Sequence, residues 1–192
     1  MVKMLFPHRD VIAVKYFTAA VSKDAQRVER QQLYWTALKS AGVQIIEGRL
    51  ETRRKDCGVK ECCHKGLRTY DVPVEKMTDV NMALHIVTDA RLRKPGAICI
   101  ISGDTDLMPA LDVVRRDFPC ERSVIIPCSE AMLKFRRIDQ YTLHGRNTKR
   151  LPETIIEDSQ FSDNIDTGGG IRVACPYNWT RKPTHQSRSQ GS

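Results

Sequence analysis

Apolar positions along this chain come in short runs separated by longer amphipathic stretches, the alternation expected of an α/β domain. Residues 11–17, VIAVKYF, form an apolar, β-branched run of strand length. Residues 25–41 follow with Val28, Gln31, Gln32, Trp35, Leu38 and Lys39 at helical spacing, and Gly42 stands where a left-handed cap residue is expected. Val43 to Glu47 reads as a second strand. Residues 48–71 are polar, rich in Arg, Lys and Cys, and aperiodic, which predicts a loop or a small excursion. A second long helix is expected from about Pro73 to Arg91, with Val80, Ala83, Leu84, Val87 and Ala90 as its apolar stripe. Ala97 to Ile101 is a continuous apolar run bounded by turn residues, the pattern of a strand buried on both faces of a parallel sheet. Ser102-Gly103-Asp104 turns the chain into a helix over 106–116. A strand at 123–127 and a closing helix at 129–137 complete the pattern. Residues 1–145 are thus read as one three-layer α/β domain, and 146–192, without apolar periodicity, as a flexible basic tail.

Composition narrows the class. Hydrophobic residues make up 41% and charged residues 28%, and no stretch approaches the ~20 apolar residues of a membrane helix. The first ten residues lack the apolar core of a signal peptide, so a cytoplasmic protein with no membrane partner is expected. Seven unevenly spaced cysteines argue against a disulfide framework, and Cys99, inside an apolar run, reads as a reduced core thiol. The net charge of +8 suits a polyanion such as nucleic acid, or merely a well-solvated surface.

Two short segments carry candidate chemistry. In Glu75-Lys76-Met77-Thr78-Asp79, the two acids are four apart and would project from one helical face. In Ser102-Gly103-Asp104-Thr105-Asp106, two carboxylates leave the carboxyl end of the buried strand, where open α/β sheets place their ligands. Ser102 and Asp104 also suit a helix cap. Clustered carboxylates repel unless a cation sits among them, and hard oxygen ligands select Mg²⁺ or Mn²⁺. Such an ion can activate water and neutralise charge on a phosphodiester. Against this, Glu75 and Asp79 could be ordinary first-turn acids, and Asp104 and Asp106 cap and surface residues.

The strings EKMTDVNMALHIVTDA and AICIISGDTDLMPALDVV resemble the NYN domain, a PIN-like nuclease family with LabA- and limkain-type members. The resemblance extends over roughly residues 11–145. It implies a parallel sheet of order 3-2-1-4-5 and a divalent-metal acidic site for hydrolysing RNA. On this sequence the motifs place Asp79, Asp104 and Asp106 at the metal, with Glu75 as a further catalytic candidate. Ser102 and Thr105 would orient these acids or bind a phosphate oxygen. The family normally opens with a strand ending in a D-G-x-N type motif whose aspartate is a metal ligand. Nothing before Val11 matches it, so the first strand is expected to be missing. The resemblance therefore leaves two readings: a metal-dependent endoribonuclease, or a catalytically inactive RNA-binding or protein-interaction module with the same fold. A phosphatase-like hydrolase would need an early D-x-D nucleophile motif, which is not found.

Weaker features surround these. Arg53, Arg54 and Lys55 lie in the basic stretch leading to the acidic segment and would track phosphates. Cys57, Cys62 and His64 could hold zinc, although C-x₄-C-C-H is not a standard pair of chelating half-sites. Trp35 is expected in the core, and His85 on the flank of its helix. Whether the chain forms a homodimer stays open.

Overall fold

In the computed structural model, which describes residues 1–21, 24–58, 69–127, 148–168 and 172–176, strands and helices alternate as the apolar pattern requires. A short α1 (Val2–Leu5) precedes β1 (Val14–Ala19), α2 (Ala25–Ser40), β2 (Val43–Asp56), β3 (Thr69–Lys76), α3 (Thr78–Leu92) and β4 (Ala97–Ile101). A 3-10 turn at Thr105–Leu107 leads into α4 (Met108–Asp117), β5 (Glu121–Ile126) and β6 (Thr148–Arg150). The chain continues through α5 (Glu153–Asp158), β7 (Asn164–Asp166) and β8 (Arg172–Ala174). Among the described residues no helix is long and apolar enough to cross a membrane.

Local chemistry sets the ends of α2. Asp24 accepts a hydrogen bond from the Arg27 N–H at 3.1 Å, which satisfies one orphan donor of the first turn. Gly42 closes the helix at φ 79°, a conformation that costs glycine little, and its N–H reaches the Lys39 carbonyl at 2.9 Å. Trp35 is buried, as its place on the apolar stripe predicts.

β1 runs parallel to β2, β4 to β5, and β5 to β6, whereas β2 and β3 pair antiparallel. Among the described residues the hydrogen-bonded orders are β1-β2-β3 and β4-β5-β6. The single sheet implied by the resemblance is thus two, and β1 and β4 each pair on one side only among the described residues. Helix α3 packs against β1 and β2 on one side and against α4 on the other, so it links the two halves.

The core lies between α3, α4, β4 and β5. Leu107, Leu111 and Val114 stand at i, i+4 and i+7 and are essentially sealed from water, together with Ile86, Ala90, Ile100, Val124 and Ile126. Sealing a leucine or valine side chain of this kind stabilises the fold by roughly 1.5–3 kcal/mol. The stripe of α3 differs from the expected one. Ile86 and Ala90 are buried, with Met82, Ala83 and Val87 beside them, whereas Val80 and Leu84 face solvent. The register of a helical stripe follows from what packs on it, which the sequence spacing alone does not say.

Three further expectations are corrected. Residues 48–71 are not a plain loop: β2 continues to Asp56 and returns as β3, so both flanks of the stretch form an arm. The helix begins at Thr78 and not at Pro73, because Pro73 sits in β3, opposite Thr52. Strand β4 is covered mainly on the face of Ile98 and Ile100, and Cys99 is exposed instead of being a core thiol. Its thiol is nevertheless pushed up by partial desolvation, against which a hydrogen bond with Ser123 works.

At the base of the arm Gly48 leaves room for the start of α3. A Cβ there would fall on Thr78 Oγ1 and lie 2.8 Å from the Lys76 carbonyl oxygen. The Asn81 side-chain amide donates to the Glu47 carbonyl at 3.3 Å across the same junction. The arm and the amino end of α3 are therefore held as one unit.

Within the stretch read as a tail, β6 extends the second sheet, and the Leu151 N–H donates to the Ile126 carbonyl at 3.0 Å. Leu151 and Val173 are buried, and the β7–β8 hairpin packs on α2. Apolar residues come singly here, so composition alone passes over them. Residues 177–192, and the helix expected at 129–137, lie outside the described residues.

Candidate active site

The turn after β4 is built by its own side chains. Ser102 extends the ladder by donating its N–H to the Ile125 carbonyl at 3.0 Å. Its hydroxyl oxygen accepts from the Asp104 N–H at 3.1 Å, and Asp104 Oδ1 accepts from the Asp106 N–H at 2.9 Å. Asp104 is thereby the cap of the 3-10 turn that starts the next helix. One carboxylate oxygen is committed to the cap, and Oδ2 carries the remaining acceptor capacity. Ser102, Gly103, Asp104, Thr105 and Pro127 line an open cleft at this carboxyl end of the sheet.

Glu75 and Asp79 arrive from a different construction than the sequence suggests. Glu75 is the penultimate residue of β3 and Asp79 lies in the first turn of α3, so they do not share a helical face. Between them Met77 adopts φ 74°, a left-handed conformation that is strained for a side chain with a Cβ. The Thr78 hydroxyl donates to Glu75 Oε1 and folds that carboxylate back across the turn. The expected proximity survives by way of a strand-to-helix corner.

Electrostatics brings the two segments together. The Asp79 carboxyl is held above the ordinary aspartate range, first by partial desolvation and then by the negative charges of Asp104, Glu75 and Asp106. Asp79 is an exposed residue, so solvent weakens both contributions, and the three carboxylates follow desolvation as the cause of the shift. Four acids from two distant segments therefore share one field. Among the described residues, however, no three His, Cys, Asp or Glu side chains converge closely enough to hold a metal ion by themselves. The set fits an ion held through one or two carboxylates with water filling the other positions, the usual manner of Mg²⁺.

A raised carboxyl pKa has a definite sign. Asp79 contributes no penalty below its unfolded-state pKa, and the folded state loses stability as pH rises through the raised value. At neutral pH the ionised Asp79 therefore works against folding unless a cation offsets it. Asp79→Asn should raise the melting temperature in EDTA at pH 7, and if Mg²⁺ stabilises the parent chain through Asp79, the variant should lose most of that gain. Thermal melts with and without Mg²⁺ decide this, and an unchanged Mg²⁺ gain in the variant would exclude Asp79 from the cation field.

The basic residues are not among those that line the cleft. Arg53, Arg54 and Lys55 are exposed on β2, and Arg53 faces the opposite side of the arm from Arg54. Of the zinc candidates, Cys57 is half-buried just past β2, and Cys62 and His64 lie outside the described residues.

One cluster escaped the sequence reading. Lys15 Nζ donates to Asp89 Oδ2 at 2.5 Å and lies 3.0 Å from His85 Nδ1, and Asp89 also pairs with Arg93 at 3.1 Å. The His85 ring lies 5.5 Å from that of Phe17. A lone lysine inside an apolar strand was the available signal.

Residues 3–141 match the family model of the NYN domain. Among curated proteins the chain is similar to 6-hydroxy-3-succinoylpyridine 3-monooxygenase HspA of Pseudomonas putida (strain DSM 28022 / S16), at 28% identity over 134 residues. That match covers 61% of this chain and 42% of the relative, so the chain spans less than half of that protein's length. No solved structure matches the chain.

Proposed function

Because this chain belongs to the NYN domain family, a PIN-like nuclease family, we propose that it is a metal-dependent endoribonuclease acting on RNA in the cytoplasm. The observation that carries this reading is the shared field of Asp79, Asp104, Glu75 and Asp106 beside an open cleft. Asp104, Asp79 and Asp106 would hold Mg²⁺ or Mn²⁺, with Glu75 close by. The ion, when bound, would supply an activated water and charge neutralisation at the scissile phosphate. Ser102 keeps Asp104 oriented through the Asp104 N–H, and Thr105, which lines the cleft, would bind a phosphate oxygen. The ion would also offset the repulsion between these carboxylates and the scissile phosphate.

The second reading, an RNA-binding or protein-interaction module without catalysis, draws on the absence of a convergent group of three ligands among the described residues. The monooxygenase activity in the relative's name belongs to a protein of which this chain covers 42%. A labelled single-stranded RNA separates the two readings. The ribonuclease should cut it with Mn²⁺ or Mg²⁺ and stop on addition of EDTA. Cleavage that persists in EDTA would overturn the metal mechanism, and intact RNA that stays bound would establish the binding module.

A further inference from the structure

The register of the β2–β3 arm separates its charges by face. Residues directly opposite in an antiparallel pair project to the same side, and the side alternates along each strand. Arg49 stands opposite Lys76, Glu51 opposite Val74, Arg53 opposite Val72, and Lys55 opposite Tyr70. This face therefore carries four cations and one carboxylate. The other face pairs Leu50 with Glu75, Thr52 with Pro73, Arg54 with Asp71, and Asp56 with Thr69. It carries one cation and three carboxylates. A short two-stranded arm is thus cationic on one side and acidic on the other.

A second observation supports the division. The Glu51 carboxyl is held low by a hydrogen bond from Arg49, by the Arg49 charge, and then by Lys76 and Arg53. These cations consequently surround one point on the same face. Arg49 is committed to Glu51 at 2.5 Å, which leaves Arg53, Lys55 and Lys76 to meet an outside anion. Tyr70 is 53% exposed beside Lys55, and Val72 and Val74 are half-buried between the cations.

We propose that this face, through Arg53, Lys55, Lys76 and Tyr70, is the docking track for a single-stranded polynucleotide, an RNA under the ribonuclease reading on which the proposal rests. The chemistry of the face matches such a ligand and not a duplex. Arg53 and Lys55 are two residues apart on one strand, about 7 Å, close to the separation of successive phosphates in an extended chain. Tyr70 offers a flat exposed ring on which an unpaired base stacks, whereas a duplex keeps its bases stacked on each other. The track has a direction. Lys76 ends it three residues before Asp79, and the Gly48 contact fixes that end against α3. Arg54, on the acidic face beside Asp71, is excluded, although its position in sequence makes it look equivalent to Arg53.

The test is fluorescence anisotropy of a labelled single-stranded RNA with the full chain in EDTA, where binding is read without cleavage. Arg53→Ala with Lys55→Ala should weaken binding at least tenfold and lower the salt slope by about 1.4, the amount for two lost phosphate contacts. Tyr70→Ala should weaken it roughly 5- to 100-fold with little change in slope. Arg54→Ala should leave both unchanged, and an RNA duplex of the same sequence should bind more weakly than the single strand. All four positions except Lys76 are exposed, and matched melting curves confirm that the variants fold.

Equal losses from Arg54→Ala and Arg53→Ala would overturn the proposal, as would a duplex that binds equally well, or affinity for acidic protein but not RNA. The two readings fail separately. Binding that follows the arm variants without any metal-dependent cleavage removes the ribonuclease and keeps the track. Cleavage of subsaturating RNA that ignores Arg53, Lys55 and Tyr70 keeps the ribonuclease and removes the track.

Discussion

Asp104→Asn should lower RNA cleavage roughly 10²- to 10³-fold while leaving the melting temperature close to that of the parent chain. The two halves of this result come from the two oxygens of one carboxylate. Oδ1 accepts the Asp106 N–H and caps the turn after β4. Asparagine caps about as well as aspartate, because its carbonyl oxygen accepts the same hydrogen bond. What the substitution removes is the negative charge, and with it the cation ligand we propose and part of the field on Asp79. The loss in rate corresponds to about 3–4 kcal/mol of transition-state stabilisation. Asp104→Ala should lose the same activity and also about 1 kcal/mol of stability through the missing cap. Initial rates with Mn²⁺ and thermal melts of both variants check this. An asparagine variant that cuts within a few-fold of the parent rate would remove Asp104 from the chemistry.

The parts of the fold that the sequence made legible are those where one local rule dominates. Gly42 after α2, the run from Ala97 to Ile101 and the capping pattern at Ser102 to Asp106 each rest on contacts within a few residues. The arm was missed for a reason of the same kind. Its period-two pattern in Tyr70, Val72 and Val74 is interrupted by Pro73, which reads as a helix start but is equally at home in a two-stranded ribbon. For Glu75 and Asp79 the expected common helical face was not the right geometry. Their closeness comes from the left-handed Met77 corner and not from one helical face. The stripe on α3, the split into two sheets and the exposed Cys99 depend on what lies across the fold, which spacing along the chain does not encode.

The Lys15 cluster is the clearest case of information that only three dimensions supply, and it yields the second large effect. Lys15 on β1 is 10% exposed and Asp89 on α3 is 23% exposed, and their contact ties the first sheet to the helix that also contacts α4. Removing one partner leaves the other charge in a poorly solvated place. For fully buried pairs that costs about 3–5 kcal/mol, and the partial exposure of Asp89 brings the expectation for Asp89→Ala to about 2–3 kcal/mol. Lys15→Met combined with Asp89→Leu should recover most of this, because no ion is then left without its counterpart, and Arg93 at 43% exposure turns to water.

The pH dependence follows from His85, whose pKa is lowered first by desolvation and then by Lys15, with Asp89 raising it and Arg93 lowering it. A histidine kept neutral in the fold contributes stability that is present above its unfolded pKa and is lost as pH falls through the window beneath it. In Asp89→Ala the one raising influence is gone, so the acid loss should extend to lower pH and grow. Lys15→Met should shrink it. Urea midpoints of the parent, both single variants and the double variant between pH 5 and 7.5 would measure these differences. A double variant as damaged as Asp89→Ala alone would show that packing, and not the stranded charge, sets the cost.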